Sequence, residues 1–355
     1  MDLKTFIHSQ KIVGLSPMDG ITDEAFRLTQ CQIAKPDLIF TEFVSAEGLA
    51  HSAVKLFDTL LYSSIERPII GQLFGKDPDS FYIAALILCH LGFDGIDINF
   101  GCPAKTVTQH GSGASLIDKP ELASQIIKSV QKAVSDFSKN KFTLENLKLK
   151  EKVLEVIKRN QKYSNLSVET FCRTSLPTKK PTISVKTRLG VSSDVSATWI
   201  PFLLSHHLDF LTLHGRTLKQ GYSGLADWDA IAGAAKLAKK SNTIFFGNGD
   251  IKSRSQALDY CNKYQVDGVL IGRQAMGNPW AFSDKKPNFK EKYSAMLLHA
   301  KNFSDVFPNR RLDSLRRHFL LYVSGHPKAS KLRQEIVKFT SVDQLYALEE
   351  RLTNW

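Results

Sequence analysis

Cysteine is scarce in this 355-residue chain, and its five copies (Cys31, Cys89, Cys102, Cys172 and Cys261) are an odd number without metal-ligand spacing. That argues against a disulfide framework and a metal site, and fits free thiols in a reducing cytoplasm. Long apolar runs are missing as well. None approaches the roughly 18 residues of a membrane span, and Met1-Asp2-Leu3-Lys4 opens no apolar leader, so neither a span nor a signal peptide is expected. The first strand-like run ends in Ser16-Pro17-Met18-Asp19-Gly20, not in a glycine-rich dinucleotide turn, which counts against a doubly wound open sheet.

Short apolar runs alternate with helical stretches to about residue 280. The runs are Ile12–Leu15, Leu38–Phe43, Ile69–Leu73, Gly95–Ile98, Ile183–Lys186, Phe210–His214, Thr243–Phe246 and Gly268–Ile271. Each is apolar almost throughout, as strands covered on both faces must be. Asp77–Leu91 and Asp227–Lys239 are examples of crossover helices between them. About eight strand–helix repeats over roughly 250 residues is the count of a TIM (β/α)8 barrel.

Such barrels carry their chemistry at the C-terminal strand ends. Here those ends hold Pro17 and Met18, Glu42, Gln72, Asn99 with Cys102, Lys186 with Arg188, His214 with Arg216, Asn248-Gly249-Asp250, and Gly272-Arg273. One polar residue at a strand end is usually a satisfied core group; one at nearly every end implies a broad ligand held at many points. The segments after strands seven and eight, Gly247–Ile251 and Ile271–Arg273, look like a phosphate cradle. Glycines admit backbone N–H groups to an anion, and Arg273 adds a charge-assisted contact. Lys186 would lie nearer the axis, where its cation could stabilise a reduced, anionic ring; a surface salt bridge is the alternative. Cys102, in a Gly-Cys-Pro turn beyond strand four, reads either as a reactive thiol or as a small buried one capping a core strand.

These segments together resemble the tRNA-dihydrouridine synthases. The resemblance is carried by Ser16–Arg27 (SPMDGITDEAFR), Gln72-Leu73-Phe74-Gly75, Asn99–Lys105 (NFGCPAK), Val185–Gly190 (VKTRLG), His214-Gly215-Arg216-Thr217, Gly247–Ile251, Gly272-Arg273 and Gly277–Trp280. It implies an FMN-binding barrel over 1–285, a helical tRNA-binding domain over 286–355, and reduction of the uridine C5=C6 bond in tRNA with NADPH, or NADH, as electron donor. By position it implies Cys102 as proton donor. Pro17, Met18, Asp19, Gln72, Lys186, His214, Asn248, Gly249, Asp250, Gly272 and Arg273 are implied against FMN, and Asn99, Lys105 and Arg216 near the uridine or its phosphates. No obligate protein partner is inferred.

Charge supports an RNA partner independently of that resemblance. Of the net +12, almost all lies in two segments: 136–180, with 11 Lys and Arg against 5 Asp and Glu, and 290–355, with 12 against 7. Localised basic surface is an electrostatic footprint for phosphate, although a solvated helix face is the plain alternative. In the last segment Pro308 and Gly325–Pro327 punctuate three or four helices. Arg310, Arg311, Arg316 and Arg317 form one basic group; Lys328, Lys331, Arg333 and Lys338 form another. Phe319, Leu320, Val323, Leu345, Leu348 and Leu352 recur at helical spacing and read as bundle core.

The long Lys-rich stretch 136–180 departs from the family pattern. Leu147, Leu154 and Ile157 suggest one amphipathic helix, with Gln161–Ser167 a polar break after it. A tRNA clamp, a surface elaboration and partial disorder remain open for it. Two other functional classes also stay open: a flavoenzyme acting on free dihydroorotate or dihydropyrimidine, and a non-catalytic RNA-binding barrel.

Overall fold

The computed structural model describes residues 3–104, 108, 111–141, 143–147, 149–166 and 180–352. Eight parallel strands close a barrel in sequence order: β1 (Ile12–Leu15), β2 (Ile39–Ser45), β3 (Ile69–Phe74), β4 (Gly95–Phe100), β5 (Thr182–Arg188), β6 (Phe210–His214), β7 (Ile244–Asn248) and β8 (Gly268–Ile271). The ring closes where Ile12–Leu15 pair with Gly268–Ile271. The TIM-barrel expectation is met, and the open sheet is excluded.

The helices in chain order are α1 (Leu3–Ser9), α2 (Glu24–Ala34), α3 (Ala46–Ala50), α4 (Pro78–Leu91), α5 (Pro120–Ser138), α6 (Glu151–Leu166), α7 (Ser196–Leu204), α8 (Trp228–Lys240) and α9 (Arg254–Tyr264). Asp77 caps α4 by accepting from Ser80 N, with Pro78 at its first turn, and Asp227 caps α8 the same way at Ala230 N. Both acids serve as N-caps just outside the helices, satisfying amides that have no intrahelical acceptor. Helix α1 closes the bottom of the barrel: Leu3 and Ile7 pack on Ile12, Phe40, Phe210 and Phe246.

Strand length decides which residues are held by the sheet and which lie in the loop beyond it. β4 runs two residues beyond the expected Ile98, which puts Asn99 inside the strand and leaves Gly101 and Cys102 just past its end. β5 likewise reaches Arg188.

The expected polar break at 161–167 is a correction: Gln161–Leu166 continue α6. Two of their polar side chains have partners on the barrel wall. Gln161 Nε2 donates to His90 O at 2.6 Å, and Tyr163 donates to Glu24 Oε1 at 3.0 Å. Leu147 lies on a separate 3-10 turn, Leu144–Leu147, while Val153 and Ile157 are fully buried.

Past the barrel come α10 (Phe289–Val306), α11 (Arg316–Tyr322), α12 (Ala329–Ile336) and α13 (Val342–Leu352). Asn288 and Glu291 form a capping box at the start of α10. Phe319, Val323, Leu345 and Leu348 are buried in a second core, as bundle residues should be. That core also takes in Ala25 from α2, Leu61 and Trp280. Among the described residues no helix is long and apolar enough to cross a membrane.

Candidate active site

The C-terminal strand ends open into one cavity of about 900 Å³. Pro17, Met18, Asp19, Gln72, Asn99, Cys102, Lys186, His214, Asn248, Gly249, Asp250, Gly272 and Arg273 all line it. Parallel strands in register explain this convergence: Asn99 lies opposite Lys186, and His214 opposite Asn248. Two expected residues stand apart. Lys105 lies outside the described residues. Arg216 does not line the cavity: its guanidinium is buried behind the β7 loop, donating to Asp250 Oδ2 at 2.6 Å and to Gly224 O at 2.6 Å.

A buried polar relay supports the floor. Asn99 Nδ2 donates to Gln72 Oε1 at 2.9 Å, Gln72 Nε2 donates to Asp97 Oδ2 at 2.6 Å, and Ser184 Oγ donates to Asp97 Oδ1 at 2.5 Å. Each amide's orientation is thereby set, because reversing Gln72 would place its oxygen against a carboxylate. Asn99 Oδ1 in turn accepts from the amides of Gly101 and Cys102, at 3.0 and 2.7 Å. The thiol is therefore located by a side chain on the adjoining strand end, not by the turn alone.

The electrostatics separate the titratable groups. Burial, assisted by the charge of Asp19, pushes the Cys102 thiol up, although the Ala104 amide, Arg188 and Lys186 oppose it. The group is a neutral S–H at neutral pH. Burial and neighbouring Arg188 bring Lys186 down to about 8, which leaves it mostly charged at pH 7. Burial first, then Arg188, Lys186, Arg216 and Arg273, hold His214 well below its ordinary value. Its Nδ1 lies 3.4 Å from Arg188 Nη1, a group with protons only to give, so Nδ1 is the acceptor and Nε2 carries the hydrogen.

Sequence reasoning placed Arg188 at a strand end without giving it a role. Its guanidinium donates to Gly101 O at 2.7 Å and Thr217 O at 3.2 Å, tying the cysteine turn to the β6 loop. Glu42 is similar: it accepts from Ile21 N at 2.9 Å and props the loop carrying Pro17 to Ile21. Tyr222 and Arg317 at the cavity mouth come from loops and helices that strand-end reasoning does not cover.

At the other wall Gly249 has φ +135°, and a Cβ there would sit 2.5 Å from Ala226 Cβ. Asp250 follows with φ 59°. Its carboxylate accepts from Ala226 N, Arg216 and, at 3.3 Å, Arg273. Asp250 thus braces the loop and holds Arg273 beside it, with the Arg273 guanidinium 4.6 Å from the Tyr222 ring centre. Glycine backbone with Met18 beside Gly272, a cation, an aromatic side chain and the polar strand ends, gathered around one cavity, fit a planar ring bearing a phosphate. Among the described residues no three His, Cys, Asp or Glu side chains gather to hold a metal.

A family model described as dihydrouridine synthase matches residues 14–175 and 177–354. A probable tRNA-dihydrouridine synthase of Staphylococcus aureus (strain COL) is 30% identical over 344 residues, covering 94% of this chain and 90% of that protein. Probable tRNA-dihydrouridine synthase 2 of Bacillus subtilis (strain 168) is 29% identical, covering 94% and 91%. Among solved structures, DHODH in complex with ferulenol from Eimeria tenella overlaps 74% of this chain and 76% of its own at a TM-score of 0.46 and 12% identity. With its match across both barrel and C-terminal helices, this chain belongs to the dihydrouridine synthase family.

Proposed function

We propose that this protein reduces the C5=C6 bond of uridines in tRNA to 5,6-dihydrouridine, with FMN as the bound cofactor and NADPH, or NADH, as electron donor. The observation that carries the reading is a buried thiol facing a polar cavity with a glycine–arginine cradle on its far wall. Asn248, Gly249, Gly272 and Arg273 would hold the phosphate, with Asp250 as their brace. Pro17, Met18 and Asp19 would lie along the ring, and Gln72, Lys186 and His214 would meet its polar edge.

Uracil is electron-poor at C6, the carbon to which FMN, once bound and reduced, would supply a hydride. The charge that builds toward C5 and O4 then needs a proton at C5. Cys102 supplies it: a thiol raised above its ordinary value keeps its hydrogen at pH 7 and can give it to a more basic carbon. Lys186, cationic and half-buried, offsets negative charge at the ring edge. Asn99 keeps the thiol in place and, with Lys105, would meet the uridine or its phosphates. Arg216 acts through Asp250. Because the target base is stacked in folded tRNA, extruding it costs about a few kcal/mol, which contacts outside the pocket must offset. Residues 286–355 would supply those contacts, with residues 1–285 as the catalytic unit.

Purified protein incubated with unmodified tRNA transcripts and NADPH should yield tRNA carrying two added hydrogens at a uridine, read by mass spectrometry of nuclease digests. Turnover of free dihydroorotate or uracil with untouched tRNA would overturn the assignment.

A further inference from the structure

The insertion helix α6 lies against the barrel with one side and offers a basic side to solvent. Val153, Ile157 and Asn160 face inward; Lys158, Arg159 and Lys162 are exposed. Asn160 Nδ2 donates to Phe57 O at 2.9 Å, and Gln161 and Tyr163 hold His90 O and Glu24. These cations are therefore presented from a docked helix, and a ligand binding them would have little chain to order.

Two guanidiniums meet across one carboxylate. Arg159 Nη2 is 3.5 Å from Asp58 Oδ1, and Arg310 Nη2 is 3.2 Å from Asp58 Oδ2. One acid shared by two arginines leaves net positive charge, and both remain about half exposed, at 57% and 45%. Arg311 beside them is 79% exposed. Arg310 also acts on the Asp23 carboxylate at the start of α2, and Arg317, seven residues on, lines the cavity mouth beside Asp19. A path of cations thus runs from the insertion to the site.

We propose that Lys158, Arg159 and Lys162 on α6, continued by Arg310, Arg311 and Arg317, form one track for the phosphate backbone of an RNA whose base enters the cavity. The insertion is then a second RNA-gripping element, additional to the C-terminal helices. This rests on the reading of the site as tRNA-directed. A polyanion with regularly spaced charges is the partner such a track fits, and binding should release counterions in proportion to the contacts made.

The test compares the full-length wild type with K158Q/R159Q/K162Q and with K236Q/K239Q/K240Q, which removes equal charge from exposed positions on α8. Affinity for an unmodified tRNA transcript is measured from low to moderate salt, with thermal unfolding as the check on folding. The α6 variant should bind roughly ten- to a hundredfold more weakly at low salt, with a salt slope flatter by about two to three log units, and the α8 variant should track wild type. Equal losses in both variants, or none in the α6 variant, would overturn the proposal. Should the triple variant melt early, K158Q/K162Q keeps the Arg159–Asp58 pair and must still flatten the slope. If wild type binds no tRNA at all, the tRNA reading itself fails; if it binds and the α6 variant matches it, only the track fails.

Discussion

At the scale of single residues the site depends on keeping protons where they are useful. Cys102 has its thiol pinned by Asn99 through the turn amides, and its burial keeps the hydrogen on sulfur. Cys102→Ala should leave the cavity and cofactor retention intact and lower dihydrouridine formation at least a hundredfold, the usual range for losing a positioned general acid. Rapid-quench assays with tRNA check this, and a wild-type rate would exclude the thiol as donor. Glu42 titrates in the opposite sense to a salt-bridged acid. Burial, then the charges of Asp23 and Asp19, raise it to about 7 against opposition from Arg27 and the Ile21 amide. From about pH 4.5 to 7 the unfolded chain has lost this proton and the folded chain has kept it. Stability must therefore fall as pH rises through that window. Glu42→Gln can still accept from Ile21 N, and should flatten the window and stabilise the protein above pH 7 by up to about 3 kcal/mol. Chemical unfolding at about pH 5 and 8 measures it; an unchanged difference between the two pH values would refute the assignment.

At the scale of elements, α6 separates an integral helix from an appended one. Ile157 and Val153 belong to the same core as β4 and α4, and Asn160 and Tyr163 satisfy buried barrel groups. Ile157→Ala should cost about 2–5 kcal/mol in global unfolding, the usual range for emptying a fully buried aliphatic site. A loosely attached helix would instead fray locally and leave the denaturant midpoint in place. This element also shows where sequence reading stops. Strands buried on both faces announce themselves as apolar runs, and the barrel and its strand-end polar residues were legible from those runs alone. Gln161 and Tyr163 look like parts of a linker because their partners, His90 and Glu24, are 71 and 139 residues away in the chain. Arg216 misleads in the same way: its spacing from His214 places it at the site, but its acceptor, Asp250, comes from the next strand and draws it behind the loop. Residue type and spacing give the address of a side chain; the direction it takes depends on a partner that only the closed barrel supplies.

At the scale of the whole molecule, the two cores are joined through α2. Phe26 belongs to the barrel core, yet its ring lies 5.7 Å from His299 and 5.3 Å from His318 of the C-terminal helices. Ala25 belongs to the second core. Asn302 Nδ2 donates to Thr29 Oγ1 at 2.9 Å and to Gln32 Oε1 at 2.8 Å, so the seam carries satisfied polar groups as well as apolar ones. Just inside it Arg27, wholly buried, donates to Glu66 and Glu24 and to the Thr22 and Leu61 carbonyls. A buried cation between two carboxylates tolerates little water, because losing one partner or gaining solvent leaves charge poorly compensated. Removing the C-terminal helices would open this seam and expose Ala25, Phe26, Leu61 and Trp280 together. The full chain should therefore melt in a single transition. A chain ending at residue 285 should unfold well below it or aggregate, despite carrying every strand and every cavity residue of the barrel except Arg317. Calorimetry on both chains tests this. A truncated barrel with an unchanged melting temperature would mean that the C-terminal helices are carried as an independent domain and that the seam adds nothing to the stability of the catalytic unit.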